Sequence, residues 1–227
     1  LYFPSDFTEG KSSIKINGLI WMGNVDFMQT QIEEKLELGF DCIKLKIGVD
    51  WNSEKEILRK LREKFPKEQL ELRVDANGGF TFEEAKIVLK ELYELGIHSI
   101  EQPIKAGFIS EMEKLCSETK IPIALDEELI GVVDFEEKRK QLEKIKPQYI
   151  ILKPALIGGF SGTDEWISLA ENLGIGWWIT SALESNIGLN AIAQYTFSKG
   201  NNMPQGLGTG GLFTNNLETR LVLHGDE

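Results

Sequence analysis

Three acidic residues, Asp75, Glu101 and Asp126, recur at intervals of 26 and 25 residues. A lysine stands one interval beyond each end: Lys46, 29 residues before Asp75, and Lys153, 27 residues after Asp126. Each of the five closes a short apolar run: CIKLK, LELRVD, IHSIE, IPIALD and YIILK. An interval of this length is one strand plus one helix, so the five charges are expected to meet at one end of a parallel sheet. A buried charge without a partner is prohibitively costly, so they must pair with one another or with a cation there. Three carboxylates are hard donors, too few to fill an octahedron. That suits Mg²⁺, with Mn²⁺ as a substitute, and leaves positions for water or a bidentate substrate. Zinc is disfavoured, because the two histidines, His98 and His224, lie away from the series. A lysine acts as a base only when neutral, a form that a neighbouring ammonium and a nearby divalent cation both favour; Lys44 stands beside Lys46 for that role. The set fits proton abstraction beside a carboxylate, with the cation stabilising the enediolate.

Each acid alone reads as an ordinary helix cap or surface ion-pair partner; it is the shared register that makes them a set. The elements that would set this register are legible as periodicity. Strand candidates fall at 14–22, 41–48, 70–77, 98–102, 121–127, 149–154 and 176–182, with a short eighth at 205–210. Amphipathic helices alternate with them. Asn24 or Asp26 opens the first helix and Gly39 ends it. Thr81 and Glu84 form a capping box for the third, which Gly96 stops. Near-continuous apolar strands between helices imply a parallel sheet, and about eight units favour a closed TIM-type barrel over an open sheet. No G-x-G-x-x-G turn follows the first strand, as a dinucleotide-binding sheet would require. The period of two then turns Cys42, Lys44 and Lys46 inward, with Arg73, Asp75 and Asn77, away from Ile43, Leu45, Leu72 and Val74. The polar run SALESNIG offers Ser181 and Ser185 as substrate contacts, although Asn186 opening a helix explains part of it equally well. The glycine-rich runs at 157–162 and 206–211 are either anion cradles or loops. Trp177 and Trp178 read as core, whereas Trp21 and Met22 stand where strand one reaches the rim.

Composition narrows the partners. The 227 residues carry a net charge of −11, which disfavours nucleic acid and anionic membranes. No apolar stretch approaches the ~20 residues needed to span a bilayer, and no export signal is recognisable. Cys42 and Cys116 read as separate buried thiols, consistent with a cytoplasmic location. The expected partner is a small-molecule carboxylate.

In order along the chain, Lys44-x-Lys46, Asp75-Ala76-Asn77, Glu101-Gln102-Pro103, Asp126-Glu127 and Lys153-Pro154 resemble the landmarks of the enolase superfamily, in its muconate-lactonising-like branch. The resemblance implies a (β/α)7β barrel in which Asp75, Glu101 and Asp126 ligate Mg²⁺. It implies that Lys46 takes a proton from carbon and returns it to a departing hydroxyl, while Lys153 stabilises the enediolate from the opposite face. Lys44 and Asn77 become secondary contacts. The segments INGLIWMG, DANGGF, KPALIGGFSGT and TSALESNIGL resemble the superfamily's dehydratases, carbon–oxygen lyases that make an aromatic acid from a hydroxycyclohexadiene carboxylate. Racemases and epimerases of the same superfamily are the alternative, and a catalytically impaired barrel used for binding or scaffolding is the non-enzymatic one. Members carry an N-terminal α+β capping domain, expected to be largely absent from this chain. Residues 1–13 are expected to be its tail end, 14–211 the barrel and 212–227 a C-terminal tail.

Overall fold

The computed structural model describes residues 1–210 and 213–227. Seven parallel strands lie side by side in chain order: β1 (Gly18–Ile20), β2 (Cys42–Lys46), β3 (Glu71–Asp75), β4 (Ser99–Glu101), β5 (Ile123–Leu125), β6 (Tyr149–Leu152) and β7 (Gly176–Ile179). A helix follows each strand: α1 (Val25–Glu37), α2 (Trp51–Lys64), α3 (Phe82–Glu94), α4 (Ile109–Glu118), α5 (Phe135–Ile145), α6 (Gly159–Leu173) and α7 (Asn186–Ser198). A short 3-10 turn, Glu127–Leu129, comes between β5 and α5.

Local chemistry accounts for the helix starts. Asn24, rather than Asp26, caps α1, its side chain accepting from the Phe27 N–H. Thr81 and Glu84 form the reciprocal capping box of α3, and Gly96 takes the left-handed conformation beyond its end with φ +65°.

The two sheet faces carry different side chains. Ile43, Leu45, Leu72, Val74, Ile150 and Leu152 join the large apolar core formed with the helices. On the other face Ala124, Ile151 and Trp178 form a small separate cluster. The Arg73 guanidinium lies 4.3 Å from the centre of the Trp178 ring. Both tryptophans of the Trp177–Trp178 pair are buried, one on each side of the sheet.

The strands are shorter than the apolar runs suggest, because parallel pairing lasts only while both neighbours stay extended. The expected eighth strand is reduced further. Gln205 and Gly206 make one isolated parallel bridge each, to Ile16 and to Thr180. Their backbones still bond to both edges of the sheet, with Asn17 N–H to Gln205 O at 2.9 Å and Gly206 N–H to Ile179 O at 2.8 Å. Beyond Gly206 the glycine-rich chain turns instead of continuing as a strand. Gly211, where that run and the expected barrel boundary end, lies outside the described residues.

Candidate functional site

The register delivers the charges to one end of the sheet. Lys46, Asp75 and Glu101 are successive Cα partners across β2, β3 and β4. Asp126 and Lys153 each stand one residue past the last residue of their strand. Lys44 Nζ donates to Glu101 Oε2 at 2.9 Å and lies 3.3 Å from Asp75 Oδ2. Lys46 Nζ donates to the same Asp75 oxygen at 3.0 Å, and Lys153 pairs with Asp126 Oδ2. Lys44, Lys46, Asp75 and Glu101 thus form one bonded network. The Lys153–Asp126 pair stands beside it, within reach of the charges of Glu101 and Asp75, so that Lys46 and Lys153 bind acids at opposite ends of the row.

The electrostatics follow from burial. Burial pushes the Asp75 carboxyl up, but the ammoniums of Lys44 and Lys46 outweigh it and hold the group at about 2. Burial works against the Lys44 ammonium, yet Glu101 and Asp75 together raise its pKa, so it remains charged. Lys153 is raised in the same way by Glu101 and Asp126. Glu101 goes the other way. Burial and the charge of Asp75 push it well above the usual carboxylate range, despite Lys44. Its Oε1 is buried without a hydrogen-bond partner. A carboxylate oxygen in that condition lacks positive charge, and a hard divalent cation supplies it. The donor set therefore fits Mg²⁺. As placed, the lysine ammoniums act as counter-charges, and among the described residues no three acidic, histidine or cysteine side chains stand close enough to form a ready cage. Like charges do not converge without a cation between them.

Lys44, Lys46, Asp75 and Lys153 open onto one cavity of about 230 Å³. Leu19, Trp21, Leu156 and Leu183 supply apolar walls; Asn17, Thr180, Ser181 and Thr209 supply hydroxyls and an amide. Trp21 also lies under the Lys46 ammonium, 5.6 Å from its ring centre. Ser181 lines the cavity, its Oγ 2.6 Å from Thr209 Oγ1. Ser185 does not line it: the residue is exposed and takes the N-terminal cap position of α7, as a helix start at Asn186 requires. Met22 is exposed outside the lining. Of the two glycine-rich runs, Gly206 and Gly208 line the cavity, while Gly158 and Gly159 open α6 away from it. Asn77 takes a left-handed conformation at φ +44° beyond β3 and accepts from Lys46 Nζ at 2.6 Å. Burial pushes the Cys42 thiol up, and that of Cys116 to about 12, so both are unreactive.

Several participants escape sequence reasoning. Asn17, Thr180 and Thr209 enter the lining through the bridges at Gln205 and Gly206, and a polar residue in an apolar strand gives no sign of that. Gln102, fully buried with φ +41°, accepts from the Asp126 N–H at 3.1 Å and the Glu128 N–H at 3.3 Å. It thereby ties the end of β4 to the residues after β5. Only its place between two strand-end acids hinted at this.

The structure thus joins a parallel α/β sheet to a row of acids and lysines at its strand ends. The model of the family described as Enolase C-terminal domain-like matches residues 28–220, and the chain belongs to that family. It is 55% identical, over 99% of its length, to o-succinylbenzoate synthase from Desulfotalea psychrophila. The crystal structure of MenC from Desulfotalea psychrophila LSv54 superposes with a TM-score of 0.92 at 54% identity, covering 99% of this chain. An N-succinylamino acid racemase from Thermus thermophilus is 37% identical over 69% of this chain and 40% of its own length. The chain spans 61% of the length of the synthase and 62% of the crystallised chain.

Proposed function

We propose that the chain is the catalytic portion of a dehydratase that converts 2-succinyl-6-hydroxy-2,4-cyclohexadiene-1-carboxylate to 2-succinylbenzoate, a step of menaquinone biosynthesis. The observation that carries this reading is one cavity faced by both Lys46 and Lys153, in a chain 55% identical to an o-succinylbenzoate synthase. Asp75, Glu101 and Asp126 would hold Mg²⁺, which supplies Lewis-acid stabilisation of negative charge on the substrate carboxylate. Lys46 takes the proton beside that carboxylate and gives it to the leaving hydroxyl on the same face. Lys153, a fixed cation opposite, stabilises the enediolate charge. Lys44 stays protonated and holds Glu101 and Asp75 in place. The apolar walls exclude water from the ring, and aromatisation makes the elimination easy, so positioning carries much of the catalysis.

The finer architecture belongs to the same proposal. The bonds that Gln205 and Gly206 make to both sheet edges support a closed (β/α)7β barrel spanning residues 14–211, with 1–13 and 212–227 as flanking segments. Exposed apolar side chains follow every strand except β3: Met22, Val49, Phe108, Val133, Leu156 and Leu183. A capping domain over the strand ends would cover them. Among the described residues no helix is long and apolar enough to cross a membrane.

A second reading has a specific observation behind it. Two lysines that reach one cavity from opposite ends of the acid row also suit two-base racemisation of an N-succinylamino acid, and the Thermus thermophilus relative carries that activity in its name. The test supplies the cyclohexadiene carboxylate with Mg²⁺ and follows the aromatic product by ultraviolet absorbance, with an N-succinylamino acid in parallel. Formation of product with the first supports the dehydratase. Racemisation alone replaces it with the second reading.

A further inference from the structure

Lys46 is held by more than Asp75. Its Nζ donates to Asn77 Oδ1 at 2.6 Å, and Asn77 Nδ2 donates in turn to Glu127 Oε1 at 2.8 Å. Asn77 is exposed and its backbone also accepts a constraint, its N–H donating to Asp75 Oδ1 at 3.1 Å. An exposed amide can present either end to a neighbour, and water satisfies both. Here the two partners choose. The Glu127 carboxylate oxygen accepts from the NH₂ group, which turns the amide oxygen to Lys46. We propose that Glu127 is a positioning residue that locks the Asn77 amide with its oxygen toward Lys46. This inference rests on the proposed role of Lys46 and extends it to a residue with no assigned role.

The consequence concerns one lone pair. A lysine about to take a proton from carbon has two N–H bonds and one lone pair. Asp75 Oδ2 and Asn77 Oδ1 accept the two N–H bonds, so the lone pair is left for the substrate in the cavity that Lys46 lines. With the amide reversed, Asn77 Nδ2–H would donate to that lone pair and occupy it. Glu127 keeps the amide from reversing. The residue sits where this is possible because the 3-10 turn after β5 begins with it, and Gln102 fixes the backbone on both sides of it.

Glu127→Gln tests this without changing shape, since a glutamine accepts or donates and no longer selects one amide orientation. In the intact protein with Mg²⁺, the variant should lower kcat about tenfold while KM stays within about twofold, as expected for lost orientation of a base. Asn77→Asp in the same protein restores the lock with the charges exchanged: the carboxylate offers oxygen on both sides and the glutamine donates to it. The double variant should recover to within about threefold of wild type. Neutron diffraction reads the lock directly, with the Asn77 amide deuterons facing Glu127 in wild type and scrambled or reversed in Glu127→Gln. A kcat for Glu127→Gln within threefold of wild type, a double variant no better than the single one, or an unchanged amide orientation overturns the proposal. So does a loss of Mg²⁺ affinity that accounts for the whole fall in kcat, since Glu127 would then act through the ion. If the wild type turns over none of the candidate carboxylates, the functional reading fails on its own, and the neutron result still decides the lock.

Discussion

Lys44 is buried to 7% exposure between two carboxylates, and it is the positive charge that makes their burial tolerable. Breaking a buried pair from one side leaves the other charge uncompensated, which costs roughly 3–5 kcal/mol. Lys44→Met should therefore lower the unfolding free energy by about 3 kcal/mol in chelator, read from denaturant midpoints. An unchanged midpoint would mean that Glu101 is held by something else. The rim lysines are expected to affect chemistry more than stability, because each retains some exposure, 15% for Lys46 and 17% for Lys153. Lys46→Ala should cut kcat by roughly 100-fold or more and abolish exchange of the substrate proton with solvent, as removal of a base does. Lys153→Ala separates the two readings. A dehydratase loses turnover through lost charge stabilisation but can still exchange the proton by way of Lys46; a racemase loses exchange for one enantiomer only, visible by proton NMR in D₂O.

The sheet places these groups by pairing, and the Gln205–Gly206 segment lies tightly against its β7 edge. A Cβ on Gly206 would stand 2.0 Å from Thr180 Oγ1 and 3.3 Å from the Thr180 Cα, so only glycine lets this segment lie against β7. Gly206→Ala should cost about 1–3 kcal/mol through overpacking, seen as a lower thermal midpoint, and should disturb Ser181, whose N–H and Oγ both bond to Gly206 O. A variant as stable as wild type would show that the segment can move aside without loss. This contact also marks where sequence reading stops. Alternation placed Lys44, Lys46 and Asp75 on one face because the period of two is a property of each strand alone. The capping box at Thr81 and the stop at Gly96 were legible for the same reason. The eighth strand was expected at 205–210, but its reduction to one bridge each at Gln205 and Gly206 was not legible, because it depends on where two distant edges meet. Ser185 was misplaced because its polar neighbours suit a helix start as well as a binding loop. Glu127 was named only within the Asp126-Glu127 landmark and drew no role, because a carboxylate beside a stronger candidate has no periodicity of its own.

The molecule as a whole carries excess negative charge, and at the strand ends it gathers four carboxyl groups, Asp75, Glu101, Asp126 and Glu127, against three lysines. Glu101 Oε1, buried and unpartnered, is the residue of that imbalance. A cation that binds the folded chain and not the unfolded one adds RT ln(1 + [L]/Kd) to stability, about 2.7 kcal/mol at a hundred times Kd. Mg²⁺ should therefore raise the thermal midpoint of the intact protein, and EDTA should reverse the gain and stop turnover. Screening of surface charge also stabilises an acidic protein, so the comparison must be made at equal ionic strength with a monovalent salt. Glu101→Gln makes the distinction complete. It replaces a carboxyl whose Oε1 has no hydrogen-bond partner with a neutral amide, while Lys44 keeps Asp75 as its counter-charge, so the variant should stay close to the wild type in chelator, yet gain little from Mg²⁺. The same Mg²⁺ shift in variant and wild type would place the ion elsewhere, and the strand-end acids would then be a structural ion-pair network without a metal role.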